Sequence, residues 1–376
     1  MKPIDFRVQG FLFSGVSARI KKNGKRDFGL IFSETPARVA GLFTKNRVKA
    51  APVLLDMERI KGGRCQAIVV NSGNANACTG HKGLSDARRV SSLIAEALGV
   101  EERLVLTAST GVIGTALPME KMEAGVPALI NSLSLDGLMQ TVEAIMTTDT
   151  FPKVAVATCR IGSERVKLCG MAKGAGMIRP DLATMLSFLV TDANFKSPLL
   201  QRMLRRAAES SFNRITVDGE TSTNDTVLLL ANGKAHHSSS NRMDHGAEIF
   251  QDMLSEVCRD LAVGLVRDGE GATKLVEVLV KGGRSEEDAN WGRILCALGH
   301  SGVGIDPGRI DVFFDQAPVV RNGTGTGLKW EEKASRVLKN KSFKITIHLH
   351  QGKSEFSLLT TDLSIDYVKI NASYRS

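Results

Sequence analysis

Short runs typical of β-strands alternate with amphipathic helical patterns along most of this chain, and no other feature restricts the fold as much. The run at residues 66–70 predicts a buried strand, which leads into a polar loop at 71–80. Residues 84–98 then carry apolar side chains at helical spacing on one face. A second strand-like run at 104–106 is again followed by a polar loop, at 107–114. This alternation predicts an α+β class with layered architecture, without fixing how the layers connect.

Two later elements are also well marked. Residues 199–210 carry a helical pattern, for which Ser197 can act as the N-cap and Pro198 suits the first helical position. A strand is predicted at 226–231, where β-branched and leucine residues follow one another. The mixture of helices and strands therefore continues past the middle of the chain.

Two polar stretches are predicted to be solvated. Residues 21–26 form the densest basic cluster and contain Asn-Gly, a strong hairpin turn signal, so we interpret the cluster as an exposed turn. Residues 236–245 are small and polar, which is typical of an exposed loop, and they include His236 and His237. We expect these histidines to face solvent and not to bind a metal.

The charge of the chain alone does not choose between a nucleic acid and an anionic small molecule as partner. The formal net charge is +9, which could serve either class of partner. Aromatic residues make up only 5% of the chain and do not interleave with the basic ones, so the stacking part of a nucleic-acid site is missing. Composition therefore weakens the case for nucleic acid, and anionic small molecules such as carboxylates remain as partners.

Cysteine usage and hydropathy indicate a cytoplasmic protein. The six cysteines show no CxxC pair and no dense framework, which is typical of thiols in a reducing compartment. No stretch approaches the roughly 20 apolar residues needed to span a bilayer, so we expect no membrane insertion. At 376 residues and 43% hydrophobic, the chain should fold without metal or disulfide.

The segment before residue 185 suggests unusual chemistry. Gly174 and Gly176 permit backbone angles that other residues avoid, and Ala183-Thr184 lies just before a strand-like run at 185–190. A threonine hydroxyl beside a strained carbonyl can attack it, and water then opens the resulting ester. The product is a threonine whose free α-amine titrates near pH 8 and can act as base for its own hydroxyl. From these residues alone, an ordinary glycine-rich loop remains the alternative.

Ten sequence blocks, in order from end to end, resemble the ornithine acetyltransferase family, also called the glutamate N-acetyltransferase family. The blocks are VNSGNANACT (70–79), ASTGVIG (108–114), MTTDTFP (146–152), AKGAGM (172–177), ATML (183–186), RITVDG (214–219), TSTNDT (221–226), GEGATK (269–274), NWGR (290–293) and DYVKIN (366–371). The resemblance implies a layered αββα sandwich similar to that of the N-terminal-nucleophile hydrolases. It also implies that the chain cuts itself between Ala183 and Thr184.

The same resemblance implies roles for individual residues. Thr184 matches the family nucleophile, which takes an acetyl group after self-cleavage, and Thr110 and Gly111 match the oxyanion hole. The positions that match the family's substrate-binding residues are Thr147, Lys173, Thr184, Glu270, Asn371 and Ser376. Cations, amides and an acidic residue are the groups that an amino-acid substrate needs.

The implied reaction moves an acetyl group from N2-acetyl-L-ornithine to L-glutamate in arginine biosynthesis, by a ping-pong mechanism without a cofactor or metal. Some family members also accept acetyl-CoA as donor, and the sequence leaves that open. The implied products of self-cleavage are an α chain (1–183) and a β chain (184–376), assembled as α2β2. Two alternatives remain: an amidohydrolase or aminopeptidase that uses water as acceptor, and a relative that binds ligand without turnover.

The chain departs from the family pattern at two places. Between Lys274 and Asn290 it is shorter, because the family usually continues with another helix and strand there. Its last residue is Ser376 where the family more often ends in threonine, which keeps the hydroxyl. Loss of a helix from a layered core would expose apolar surface, so we expect different packing in the second half.

Overall fold

The computed structural model describes residues 4–176, 178, 185–217, 221–238, 241–272, 275–283, 306–326, 328–337, 339–350 and 354–361. The chain divides into two compact units. The first comprises Met1–Asn213 and Glu220–Leu265, and the second comprises Arg214–Gly219 and Val266–Ser376.

The described elements, in chain order, are β1 (Phe11–Val16), β2 (Phe28–Phe43), α1 (Ala51–Arg59), β3 (Arg64–Asn74), α2 (Gly80–Leu98), β4 (Val105–Val112), α3 (Met119–Asn131), α4 (Leu138–Ile145), β5 (Lys153–Ile161), β6 (Glu164–Lys173), β7 (Leu186–Thr191), α5 (Ser197–Glu209), β8 (Ile215–Thr216), β9 (Thr226–Ala231), α6 (His245–Arg267), β10 (Leu275–Gly283), β11 (Asp311–Phe314), β12 (Ala317–Arg321), β13 (Thr324–Gly325), α7 (Leu328–Val337), β14 (Ser342–His348) and β15 (Ser354–Thr361).

The first unit is built on a mixed sheet with the strand order β4-β3-β2-β9-β7-β6-β5, and β1 pairs with β2 off this path. Strands β3 and β4 are parallel, as are β7 and β9, whereas the other neighbouring pairs are antiparallel. Long strand β2 pairs with β1 through its first half and with β9 through its second half. Because β7 and β9 are parallel and Leu186 pairs with Thr226, the starts of these two strands lie side by side.

Both faces of this sheet are covered, because successive side chains along a strand point to opposite faces. Ile68 joins an inner apolar cluster with Phe188 of β7, whereas Val69 packs with side chains of α2 and α3. Helix α6 approaches β6 so closely that a Cβ added at Gly170 would lie 2.8 Å from the Leu261 side chain. Helices packed on a buried sheet confirm the layered α+β class.

The second unit contains its own mixed sheet, with the order β13-β12-β11-β14-β10-β15-β8. Strand β10 runs parallel to β14 and antiparallel to β15. Val276, Ile345 and Ile347 belong to its apolar cluster, and Val337 of α7 packs against it. This unit therefore has a separate core.

The helix predicted at 84–98 and the strand predicted at 226–231 are confirmed as α2 and β9. The assignment of Ser197 as an N-cap is wrong, because the N-cap of α5 is Lys196. The Ser197 hydroxyl instead donates to the Gly63 carbonyl at 2.6 Å. Among the described residues, no side-chain hydrogen bond caps the start of α5.

The loops predicted at 71–80 and 107–114 are wrong over their first residues, 71–74 and 107–112. Strand β3 continues to Asn74 and β4 continues to Val112, so the polar residues there belong to the sheet. The sequence analysis did not recognise these strand ends, because polar side chains at the end of a strand resemble those of a loop.

His237 is buried, contrary to the expectation of a solvated loop. Its Nε2 accepts the amide N–H of Asn194 at 2.7 Å, and its ring packs against Phe195. His236 is exposed as expected. Within the described residues, no helix is long and apolar enough to cross a bilayer.

Candidate active site

Thr110 and Gly111 lie at the end of β4, where β3 and β4 approach each other unusually closely. Gly111 pairs with Gly73, and both have positive φ, +133° and +97°. A Cβ added at Gly111 would lie 2.4 Å from the carbonyl carbon of Gly73, so only glycine fits there. Thr110 is buried while Gly111 is exposed. The local fold therefore presents the backbone of Gly111 at an accessible surface beside a buried hydroxyl.

Lys173 connects the end of β4 to the predicted substrate-binding residues. It is the last residue of β6, and its Nζ donates to Thr110 Oγ1 at 2.9 Å and to Thr147 Oγ1 at 3.3 Å. Only 4% of Lys173 is exposed. It pairs with Leu186 at the start of β7, two residues after Thr184 in the sequence. Three residues predicted from the sequence, Thr110, Thr147 and Lys173, thus meet at one site.

Asp149 organises the backbone around this site, although no role was predicted for it. Its carboxyl accepts the amide N–H of Thr147 at 2.9 Å and that of Gly174 at 2.7 Å, and it pairs with Lys153 Nζ at 2.6 Å. Burial alone would raise the pKa of this carboxyl. The ammonium groups of Lys153 and Lys173 and the Gly174 N–H outweigh burial and hold the pKa below its usual value. Asp149 is therefore a buried carboxylate that fixes two loops.

We expect Lys153→Met to lower the free energy of unfolding by about 3–5 kcal/mol, because both side chains of the Lys153–Asp149 pair are essentially inaccessible, at 1% and 0% exposed. The variant leaves a buried carboxylate without this cation. Chemical denaturation measures the change. The pKa of Asp149 is lowered in the folded state, so its ionisation stabilises above the ordinary carboxyl pKa and is lost as the pH falls. The cost of the substitution should shrink on acidification.

The exposed pair Arg103–Glu101 supplies a matched control, since its side chains are 75% and 61% exposed. Arg103→Met should cost less than about 1 kcal/mol. The double variant Asp149→Asn/Lys153→Met should recover part of the Lys153→Met loss. Equal costs for the two single lysine and arginine variants would contradict the role given to this buried pair.

Asp225 fixes the residue that follows Thr184. Its Oδ1 accepts the amide N–H of Met185 at 3.0 Å, and Thr226 N–H donates to the Met185 carbonyl at 3.1 Å. Burial raises the pKa of Asp225 well above its usual value, although the Met185 N–H and the charge of Lys173 oppose this. The chain that carries Ala183-Thr184 is thus anchored at Gly174 by Asp149 and at Met185 by Asp225.

The predicted site residues fall into three groups. Thr110, Gly111, Thr147 and Lys173 lie together in the first unit. Glu270 is exposed and belongs to the second unit. The remaining four lie outside the described residues, and they are Ala183, Thr184, Asn371 and Ser376.

Lys21 was also missed, because its basic cluster was interpreted as a solvated turn. Its Nζ donates to the Met146 carbonyl at 2.6 Å and to the Arg26 carbonyl at 2.9 Å, and it is half-buried. Burial lowers the pKa of Lys21 to about 8. The turn itself, around Asn23, is exposed as predicted. Lys21 therefore ties this turn to the residue before Thr147.

Sequence comparison decides the family. A profile of the ArgJ family matches residues 12–289 and 285–376. The arginine biosynthesis bifunctional protein ArgJ of Geobacter sulfurreducens is 49% identical over 98% of this chain and 100% of its own length. The protein of the same name from Symbiobacterium thermophilum is 47% identical over 98% of this chain and 97% of its own length. The chain belongs to the ArgJ family.

Two solved ArgJ-related structures were also found. ArgJ from Bacillus halodurans is 38% identical, and the match covers 46% of this chain and 91% of that chain, with a TM-score of 0.43. Ornithine acetyltransferase from Mycobacterium tuberculosis, solved with ornithine, is 36% identical over 47% of this chain and 94% of that chain, with a TM-score of 0.41. The family profile and the curated relatives confirm the resemblance found in the sequence motifs, so this ArgJ-family chain belongs with the enzymes of arginine biosynthesis.

Proposed function

We propose that the chain transfers an acetyl group from N2-acetyl-L-ornithine to L-glutamate, giving L-ornithine and N-acetyl-L-glutamate, after cutting itself between Ala183 and Thr184. One observation carries this proposal: Lys173 donates to both Thr110 and Thr147. It joins the candidate oxyanion hole to a candidate substrate residue, on a strand paired with the one that Thr184 precedes. Family membership supports the reaction class.

Self-cleavage comes first. The Thr184 hydroxyl attacks the Ala183 carbonyl carbon, the C–N bond breaks, and the hydroxyl proton ends on the departing nitrogen. Water then hydrolyses the ester, which leaves a carboxyl on Ala183 and a free hydroxyl and α-amine on Thr184. The hydrogen bonds at Gly174 and Met185 support this step because they hold described residues before and after the segment that contains the bond.

Acetyl transfer follows in two halves. The α-amine of Thr184 takes the hydroxyl proton while the oxygen attacks the acetyl carbonyl, and the protonated amine then gives the proton to the leaving ornithine nitrogen. The Thr110 hydroxyl and the Gly111 N–H stabilise the oxyanion, which exists only near the transition state. L-Glutamate enters the same pocket and removes the acetyl group by the reverse sequence. In this scheme, Thr147, Lys173, Glu270, Asn371 and Ser376 hold the amino-acid substrate.

Two further properties belong to the proposal. The relatives are named bifunctional, which supports acetyl-CoA as a second acetyl donor to glutamate. The α chain (1–183) and β chain (184–376) remain associated as α2β2. No cofactor takes part in the proposed steps.

The reaction is tested by following isotopically labelled acetyl from N2-acetyl-L-ornithine. With L-glutamate present, we expect the label on N-acetyl-L-glutamate and ping-pong initial-rate patterns, and mass spectrometry of the quenched β chain should detect acetyl on Thr184. Acetyl-CoA should also label N-acetyl-L-glutamate. Label found only in free acetate would favour a hydrolase and contradict the proposal.

A further inference from the structure

The loop between β1 and β2, residues 17–27, packs against the end of β3 beside the candidate active site. The carboxyl of Asp27, which is fully buried, accepts the amide N–H of Lys21 at 2.8 Å. A Cβ added at Gly73 would lie 3.1 Å from Lys21 Cγ. Gly73 in turn pairs with Gly111 of the candidate oxyanion hole. Both the backbone and the side-chain stem of Lys21 are therefore held next to that site.

The ammonium group of Lys21 binds the end of helix α4. This helix ends at Ile145, and the last carbonyls of a helix have no partner within the helix itself. Lys21 Nζ donates to the Met146 carbonyl at 2.6 Å, where the helix dipole also favours a cation. One turn earlier, the Ala144 carbonyl accepts the Ser72 hydroxyl of β3. Side chains from the loop and from β3 thus satisfy the carbonyls at this helix end.

The peptide group that joins Met146 to Thr147 is held by two charged side chains. Its carbonyl accepts the Lys21 ammonium, and its N–H donates to Asp149 Oδ2 at 2.9 Å. The C=O and N–H of a trans peptide point in opposite directions, so these two bonds together fix the rotation of the group. Hydrogen bonds to charged groups are also stronger than those between neutral groups. The backbone that carries the Thr147 hydroxyl is therefore fixed from both sides.

Thr147 is one of the proposed substrate-binding residues, so the groups that fix its backbone also set the shape of the amino-acid pocket. We propose that Lys21 is a positioning residue for Thr147, whose hydroxyl it keeps in place to bind the amino-acid substrate. Because Thr147 Oγ1 accepts an N–H of Lys173, its own hydrogen points away from that ammonium and can be donated to a substrate oxygen. This inference rests on the proposed function, in which N2-acetyl-L-ornithine and L-glutamate share one pocket.

The charge of Lys21 changes within a pH range in which the reaction can be assayed. Burial is the largest effect, and it lowers the pKa of Lys21 to about 8. The other charged groups that act on this ammonium are Asp27 and Asp149, which raise the pKa, and Lys25 and Lys173, which lower it. On α4, Glu143 pairs with Arg26 at 2.9 Å. Above its pKa, Lys21 is a neutral amine and donates a weaker hydrogen bond to the Met146 carbonyl.

Lys21→Met keeps the apolar stem of the side chain and removes the ammonium. We expect KM to rise roughly tenfold for both N2-acetyl-L-ornithine and L-glutamate, with kcat within about threefold of the wild type, because a contact that holds substrate and transition state alike is weakened. The wild-type KM should itself rise as Lys21 loses its proton. The two KM values should therefore converge to within about threefold between about pH 7 and about pH 9.5. A merely structural role would leave their ratio independent of pH.

Lys121→Met is the matched control, because the Lys121 ammonium also donates to a carbonyl of this loop, that of Arg19 at 2.7 Å, although Lys121 is exposed. It should leave both KM values within about twofold of the wild type.

Lys21→Arg keeps a cation that does not titrate in this range, so its KM should match the wild type near neutral pH and stay constant where the wild-type KM rises. The α-amine proposed for Thr184 is the same in both proteins, so its titration cancels in the comparison. This comparison also does not require Lys21→Met to fold.

An unchanged KM in a folded Lys21→Met protein would overturn the proposal, and so would a Lys21→Arg KM that rises with pH as the wild-type KM does. Calorimetric titration with L-ornithine separates this inference from the proposed reaction, since its Kd should rise in Lys21→Met by the same factor as KM. If the wild-type protein binds L-ornithine but transfers no acetyl group, the proposed function fails. An equal L-ornithine Kd in wild type and Lys21→Met would instead overturn the role of Lys21.

Discussion

We expect the Thr184→Ala protein to remain a single uncut chain and to transfer no acetyl group. Without the Thr184 hydroxyl there is no nucleophile for the Ala183 carbonyl, and the α-amine that serves as base is never released. Transfer should fall to the limit of detection, since nucleophile and base are lost together. Denaturing electrophoresis measures cleavage, and labelled acetylornithine measures transfer.

Thr184→Ser is the control, because it keeps a hydroxyl at the same position. It should still cleave and transfer, although more slowly. Transfer by a purified, uncut Thr184→Ala protein would show that the nucleophile lies elsewhere in the chain.

The second large effect is expected at Gly111. A Cβ at this position meets the Gly73 carbonyl carbon at 2.4 Å and also imposes a φ of +133° on alanine. The end of β4 must shift, and with it the Gly111 N–H that is proposed to stabilise the oxyanion. We expect Gly111→Ala to lower kcat by roughly 10²–10³-fold, as loss of one oxyanion donor does elsewhere.

Gly114 offers a control for the backbone strain alone. It also has positive φ, +82°, but a Cβ there would meet nothing within 4 Å. Gly114→Ala should therefore keep kcat within a few-fold of the wild type, and its melting temperature reports the strain. Equal kcat values for Gly111→Ala and Gly114→Ala would contradict the proposed role of the Gly111 N–H in the oxyanion hole.

The elements that the sequence predicted well are those with regular apolar patterns. Strand β9 and helix α2 could be recognised because burial imposes a period on their side chains. The ends of β3 and β4 were mistaken for loops because pairing of Gly73 with Gly111 leaves no periodic signal. Polar residues at the end of a strand can be assigned to a sheet only when their partners on the neighbouring strand are known.

The same limit explains which site residues were missed. Thr110, Thr147 and Lys173 could be named because family motifs mark them, and the structure brings them within hydrogen-bond distance. Asp149 and Asp225 also lie within those motifs, but their partners are the backbone amides of Gly174 and Met185. Every residue except proline carries such an amide, so sequence alone cannot indicate which one a carboxyl binds.

The two carboxyls, Asp149 and Asp225, each hold a backbone amide near the proposed cleavage site. Asp149 holds the backbone before the proposed scissile bond and Asp225 holds it after, and both are buried in the first unit. Cutting the chain removes the covalent link between the two anchored ends. Asp225 then still holds Met185, the residue after the proposed nucleophile, and Asp149 still holds Gly174.

The central claim is that Thr184 becomes a chain terminus, and the intact mass of the purified protein under denaturing conditions tests it most directly. We expect two chains, whose masses correspond to residues 1–183 and 184–376, with threonine at the N-terminus of the second. A single mass for the uncut 376-residue chain, in protein that transfers acetyl, would contradict the account.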